Sequence, residues 1–225
     1  MNELTLRVLS ALVIVPVAVA LIWTGGWLLD ILLAAAVFAM LVEWQRLSNA
    51  LPPKGRALTR GAGAFLIVLA GLAAHELRMA DYGLDLLAWL VLVVVVTDIG
   101  AYIAGRSIGG PKLAPTISPN KTWAGLLGGM TASVLATVAC GLWADDLTGE
   151  ILVAAALISA IAQMGDLSES WAKRRAGVKD AGSLIPGHGG VLDRLDGFLT
   201  ATPALWLYHV GFDGGLRLDL PPGPF

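Results

Sequence analysis

The sequence predicts an all-α polytopic membrane protein with about seven transmembrane helices, and three observations carry that reading. First, 56% of the 225 residues are hydrophobic and only 14% charged. Mean hydropathy is +0.74, whereas about a quarter of the residues in a soluble domain are charged. Second, apolar runs of about 20 residues, the length needed to cross a bilayer as helix, recur along the whole chain. Third, the basic residues alternate with those runs so that they gather on one side.

The expected spans are about 6–24, 27–45, 61–79, 84–104, 123–143, 151–171 and 197–212. Arg7 and the run after it resemble a secretory leader, with Ala18-Val19-Ala20 as a cleavage site. The apolar sequence continues past that point and a second run follows at once, so a first span is the expectation. The last run is the shortest and carries Pro203, which makes it the weakest of the seven. Trp23, Trp27, Trp44, Trp123, Trp143 and Trp171 fall near the ends of runs, as an interfacial aromatic belt requires.

With seven spans, every Lys and Arg except Arg78 and Arg217 falls on one face. The opposite face carries Asp81, Asp85, Asp145, Asp146 and Glu150. The positive-inside rule then puts the N-terminus and the basic loops in the cytoplasm and the C-terminus outside. Cys140 is the only cysteine, so neither an intrachain disulfide nor a cysteine-built metal cluster is expected.

Polar residues inside such runs are the candidates for chemistry. Asp98 closes the run LLAWLVLVVVVTD, and Tyr102 follows one helical turn later. A carboxylate within a span is costly and a functional candidate by default. The alternative is an interfacial Asp98 paired with Arg106. The stretch from Gly105 to Thr122 contains Gly110-Pro111-Lys112 but lacks the phosphate-loop spacing. Within it, Ser118 is expected to cap the fifth span, with Pro119 at its first position. Free N–H groups beside Lys121 would then suit a phosphate. A plain helix cap with an anchoring lysine is the competing reading. Gly125 and Gly129 form a small-residue face for helix packing.

The sixth span carries Gln163, Asp166, Glu169 and Ser170 on one face by their spacing. Glu169 has Lys173 as a one-turn partner, whereas Asp166 has no base one turn away. The chain then runs through Lys173, Arg174, Arg175 and Lys179, crosses Pro-Gly-His-Gly-Gly, and re-enters apolar sequence through Asp193, Arg194 and Asp196. Oxygen donors without cysteine favour Mg²⁺ over Zn²⁺. His188 fits no zinc-hydrolase spacing and suits a loop or phosphate contact. Gly187, Gly189 and Gly190 would let backbone N–H groups approach an anion. These residues point to a metal-dependent site at the bilayer surface for a phosphorylated substrate, with the reaction class left open.

At this point the sequence resembles the phosphatidate cytidylyltransferase (CDP-diacylglycerol synthase) family. The signature residues are Ser170, Lys173, Arg174, Lys179, Asp180, Pro186, His188, Gly189, Gly190, Asp193, Arg194 and Asp196. Gly165-Asp166-Leu167, the Asp98–Tyr102 segment with Gly105-Arg106, and Ser118 through Trp123 are similar too. Ala172 and Ala124 depart from the pattern, which has a larger apolar residue and a glutamate there.

The resemblance implies that CTP and phosphatidate give CDP-diacylglycerol and pyrophosphate. It also implies Mg²⁺, with a second cation such as K⁺ as an option. Asp166 and Asp193 would be the principal metal ligands, with Asp98 and Asp196 as further candidates. Asp98, Asp166, Lys173, Arg174 and Asp193 are the expected catalytic set. Ser118, Lys121, Thr122, Lys179, His188, Gly189, Gly190 and Arg194 are candidates for contacts to CTP or lipid phosphate. The expected organisation is three spans within 1–80, a catalytic transmembrane domain over 81–212 with cytoplasmic loops 105–122 and 172–196, and a tail over 213–225. The inner (plasma) membrane is the expected location and the bilayer a partner. A homodimer is a candidate assembly, and no nucleic-acid partner is expected. A CTP-dependent kinase of a prenol-type lipid and an ion or phosphate transporter are the competing readings.

Overall fold

Lipid offers backbone N–H and C=O groups no hydrogen-bond partners, so a long apolar run must satisfy them within itself as helix. The computed structural model follows that rule and describes Leu12 and residues 16–144, 147–185 and 189–211. Helix α1 covers residues 16–24 of these. It is followed by α2 (Gly26–Asn49), α3 (Arg56–Met79), α4 (Gly83–Ser107), α5 (Trp123–Ala144), α6 (Gly149–Ala176) and α7 (Leu192–Gly211). A two-stranded antiparallel hairpin, β1 (Lys112–Ala114) and β2 (Ser118–Thr122), interrupts them between α4 and α5. By length and composition, α2 to α6 are five helices able to cross a membrane. The protein is therefore read as an all-α polytopic membrane protein. Most of 6–15, Asp145 and Asp146, Pro186 to His188, and the tail after Gly211 lie outside the described residues.

The surface is inverted relative to a soluble protein. Phe38, Phe65, Leu72, Leu135, Leu142 and Trp143 point outward, each more than half exposed. Small and hydroxylated residues hold the inner face of α5. On α5 the buried face is Gly125, Gly129, Ser133, Thr137 and Gly141, one residue per turn. A Cβ at Gly129 would come within 2.8 Å of the Thr97 carbonyl oxygen, and one at Gly125 within 3.0 Å of the Ala101 carbonyl oxygen. The small-residue face therefore lets α4 and α5 approach backbone to backbone.

Buried hydrogen bonds fix the register of the bundle. Thr97 Oγ1 donates to Ser159 Oγ at 2.8 Å, joining α4 to α6. Trp89 Nε1 donates to Thr137 Oγ1 at 3.1 Å, joining α4 to α5. Thr200 Oγ1 donates to the Ile161 carbonyl at 2.8 Å, joining α7 to α6. One apolar cluster, including Leu86, Leu90, Val93, Ile158 and Leu205, fills the space between α4, α6 and α7. A second, including Met40, Trp44, Ile67, Ala172 and Leu192, packs α2 and α3 against the ends of α6 and α7.

Three boundaries differ from the sequence expectation. Ser118 does not cap α5: it opens β2, and the helix starts at Trp123, where Thr122 Oγ1 accepts the Gly125 N–H at 3.0 Å. A Ser-Pro pair suits extended edge backbone as well as a helix start, and pairing with β1 selects the former. Secondly, α6 runs on to Ala176, so Lys173, Arg174 and Arg175 occupy its last turn rather than a loop. Cations there complement the helix dipole, and Gly177, at φ 73, ends the helix left-handed. Finally, α7 starts at Leu192 rather than near 197, which puts Asp193 and Asp196 on the helix, and Pro203 lies buried within it as the run required.

Candidate active site

Helix α6 forms a wall between two clefts. The first, of about 600 Å³, is lined by Asp98, Tyr102 and Arg106 of α4, Lys121 and Thr122 of β2, and Gln163 and Asp166 of α6. The second, of about 710 Å³, is largely apolar, with Trp44, Leu58, Leu66, Trp171 and Leu199 among its lining residues. Glu169 and Asp196 stand at the edge of this second cleft. The three-residue step from Asp166 to Glu169 thus puts one carboxyl on each.

On the polar side, Lys121 Nζ lies 2.5 Å from Asp166 Oδ2. Ser170 Oγ donates to Asp166 Oδ1 at 3.4 Å. Asp98 is exposed to the cleft, within electrostatic range of both Asp166 and Lys121. The tight β1–β2 hairpin is what delivers Lys121 there, since the Trp123 N–H donates to the Pro111 carbonyl at 3.1 Å and closes its base.

Lys173 organises the other side. Its Nζ donates to Glu169 Oε2 at 2.8 Å and to Asp193 Oδ1 at 2.7 Å. All three side chains are largely buried. Asp193 also accepts backbone N–H groups, from Ala181 at 2.9 Å and from Gly190 at 3.0 Å. Burial pushes the Asp193 carboxyl up, but the Lys173 ammonium and these two N–H groups outweigh it and hold the carboxyl below the usual range. Asp196 is the opposite case. Burial, and then the charges of Asp166 and Asp98, push it up to about 6 despite an N–H from Gly197. Both acids precede the apolar part of α7.

The structure thus brings Asp98, Lys121, Thr122 and Asp166 to one cleft. It joins Lys173 and Asp193 in a network with Glu169, and sets Asp196 within range of both groups. Other candidates lie apart. Arg174 Nε donates to the Ile117 carbonyl at 3.3 Å and ties α6 to the hairpin. Ser118 is half-buried at the start of β2, and Lys179 and Arg194 are exposed. Gly189 pairs with Ile185 at a φ of 85, while His188 lies outside the described residues.

Asp98, Asp166, Asp193 and Asp196 could hold a metal, because they offer only hard oxygen donors. With Glu169 they place five carboxyls beside Lys121, Lys173 and Arg106, an excess of negative charge that suits a cation. The described residues hold no group of three or more His, Cys, Asp or Glu arranged to enclose an ion.

One residue of this region is not picked out by sequence reasoning. Glu43, in α2, is fully buried and accepts N–H groups from Val191 and Leu192. An acid inside the run FAMLVEWQRL was the available signal.

Residues 61–212 match the model of the cytidylyltransferase family. A phosphatidate cytidylyltransferase of Brucella suis biovar 1 (strain 1330) is 35% identical over 261 aligned positions, covering 94% of this chain and 95% of the relative. A phosphatidate cytidylyltransferase of Haemophilus influenzae is 46% identical over 136 positions, covering 57% of this chain and 47% of the relative. One from Staphylococcus saprophyticus is 44% identical over 125 positions, covering 55% and 48%.

Proposed function

The chain belongs to the cytidylyltransferase family, and we infer that it converts CTP and phosphatidate to CDP-diacylglycerol and pyrophosphate. An oxygen of the phosphatidate phosphate attacks the α-phosphorus of CTP. A new phosphoanhydride forms as the α–β bond breaks, and its electron pair leaves with pyrophosphate. The attacking oxygen is already anionic near neutrality, so the reaction needs orientation and charge neutralisation more than a base.

The observation that carries this reading is the pair of clefts on either side of α6. The first, the more polar of the two, suits a soluble triphosphate and the second a lipid, and the acids at α6 lie between them. We assign Lys121, Thr122 and Ser118 to the nucleotide. Lys173, Arg174, Lys179, His188, Gly189, Gly190 and Arg194 are assigned to the phosphates of either substrate. Asp98, Asp166, Asp193 and Asp196 are the residues we propose to hold Mg²⁺, with K⁺ as a candidate second ion. When bound, the cation neutralises triphosphate charge. Lys121 and Lys173 neutralise the acids they touch and orient Asp166 and Asp193.

The finer architecture follows the same proposal. Seven spans put the N-terminus in the cytoplasm, with the catalytic transmembrane domain over 81–212 and the basic segments facing CTP. The basic-residue distribution supports that orientation, and the bacterial relatives support an inner-membrane location. A homodimer is the proposed assembly. Neither the lipid kinase nor the transporter is favoured.

The test uses full-length protein in detergent with Mg²⁺, phosphatidate, and CTP labelled in cytosine and at the γ-phosphate. Cytosine label should enter lipid while γ-label leaves as pyrophosphate, and Asp166→Asn or a chelator should abolish both. γ-Label entering lipid, or no transfer by folded protein, overturns the reading.

A further inference from the structure

Glu43 is 0% exposed, and it grips the segment that carries Asp193. Its Oε1 accepts the Val191 N–H at 3.2 Å and its Oε2 the Leu192 N–H at 2.8 Å. These N–H groups open α7, where the first turn of a helix has no partners of its own. An acid is favoured there by the helix dipole as well. The cap thus comes from α2, 149 residues away in the chain. The segment closes around it: a Cβ at Gly182 would overlap Glu43 Oε1, and one at Gly190 would sit 2.7 Å from Oε2.

Asp193 accepts two further N–H groups beside them, those of Ala181 and Gly190, and takes Lys173 through Oδ1. Two acids therefore divide one turn between them. Glu43 fixes its position relative to the N-terminal helices, and Asp193 fixes its shape.

We propose that Glu43 is a positioning residue for nucleotidyl transfer: from α2 it clamps the start of α7 and so sets where Asp193 and Lys173 stand. It lines neither of the two clefts. This rests on the transfer reaction proposed above.

The test compares full-length wild type with Glu43→Gln, Gly182→Ala, the double variant and Leu29→Ala, all in detergent. Leu29 is a buried α2 residue about 21 Å along the helix from Glu43, at 1.5 Å per residue, and serves as the control for lost packing. Glu43→Gln keeps the shape but leaves one N–H facing an amide NH₂. It should lower kcat about 10- to 100-fold, the range seen when a supporting shell is removed, with KM for CTP unchanged. Gly182→Ala should push on the same carboxyl, so the double variant should lose far less than the product of the single losses. Amide exchange at Val191 and Leu192 should quicken in Glu43→Gln and not in Leu29→Ala.

A kcat loss that only follows Tm, as in Leu29→Ala, overturns the proposal. So do fully multiplicative losses, or unchanged exchange at the two amides. A wild type that makes no CDP-diacylglycerol sinks the transfer reading instead, while the exchange comparison still decides whether Glu43 clamps the turn.

Discussion

Lys173 shows how much one side chain can carry. It neutralises Glu169 and Asp193 together, with little exposure at any of the three. Lys173→Met would leave two buried acids facing one another. A cost of about 3–5 kcal/mol is expected, because an unpaired buried charge is worse than no pair at all. Adding Glu169→Gln should restore part of that loss, which thermal unfolding in detergent would record. Sequence spacing exposes only half of this arrangement. Glu169 and Lys173 are one turn apart and legible, whereas Asp193 joins them across a turn whose path no periodicity describes. The role of Glu43 was hidden for the same reason, since its partners lie 148 and 149 residues away.

At the scale of elements, hydropathy located the helices well because the bilayer demands one thing of each: enough apolar length with its backbone satisfied. It could not place polar ends. The last turn of α6 is made of cations, which read as loop until the helix dipole is considered. Likewise, Ser118-Pro119 carried a helix-start signal that strand pairing overrode. The true cap is Thr122, so Thr122→Ala should cost about 1 kcal/mol and Thr122→Ser much less. Unfolding midpoints of the two variants would separate them. Gly129 offers a sharper case, since the nearest atom its added Cβ meets is a backbone carbonyl oxygen that cannot swing aside. Gly129→Ala is expected to cost about 1–3 kcal/mol by forcing α4 from α5, again visible as a lower Tm.

For the whole molecule, the division into a polar and an apolar cleft predicts that the two substrates can be perturbed separately. Ala62 lines the apolar cleft and faces outward. Ala62→Trp should raise KM for phosphatidate by about tenfold or more, the effect of a lost or clashing apolar contact of roughly 1–3 kcal/mol. KM for CTP should stay where it was. Initial rates with each substrate varied in turn would check this. Equal rises in both would mean the clefts do not divide the substrates in this way.

Helix α6 also acts as a ruler. Asp166 and Glu169 are joined by rigid helix, about 4.5 Å apart along its axis at 1.5 Å per residue. Loops elsewhere in the chain can lengthen or shorten without moving these two groups relative to each other. One residue inserted between them cannot be absorbed so easily, because it turns everything on one side by about 100°. Between Asp166 and Glu169, changes of side chain at Leu167 and Ser168 should therefore be tolerated far better than changes of length.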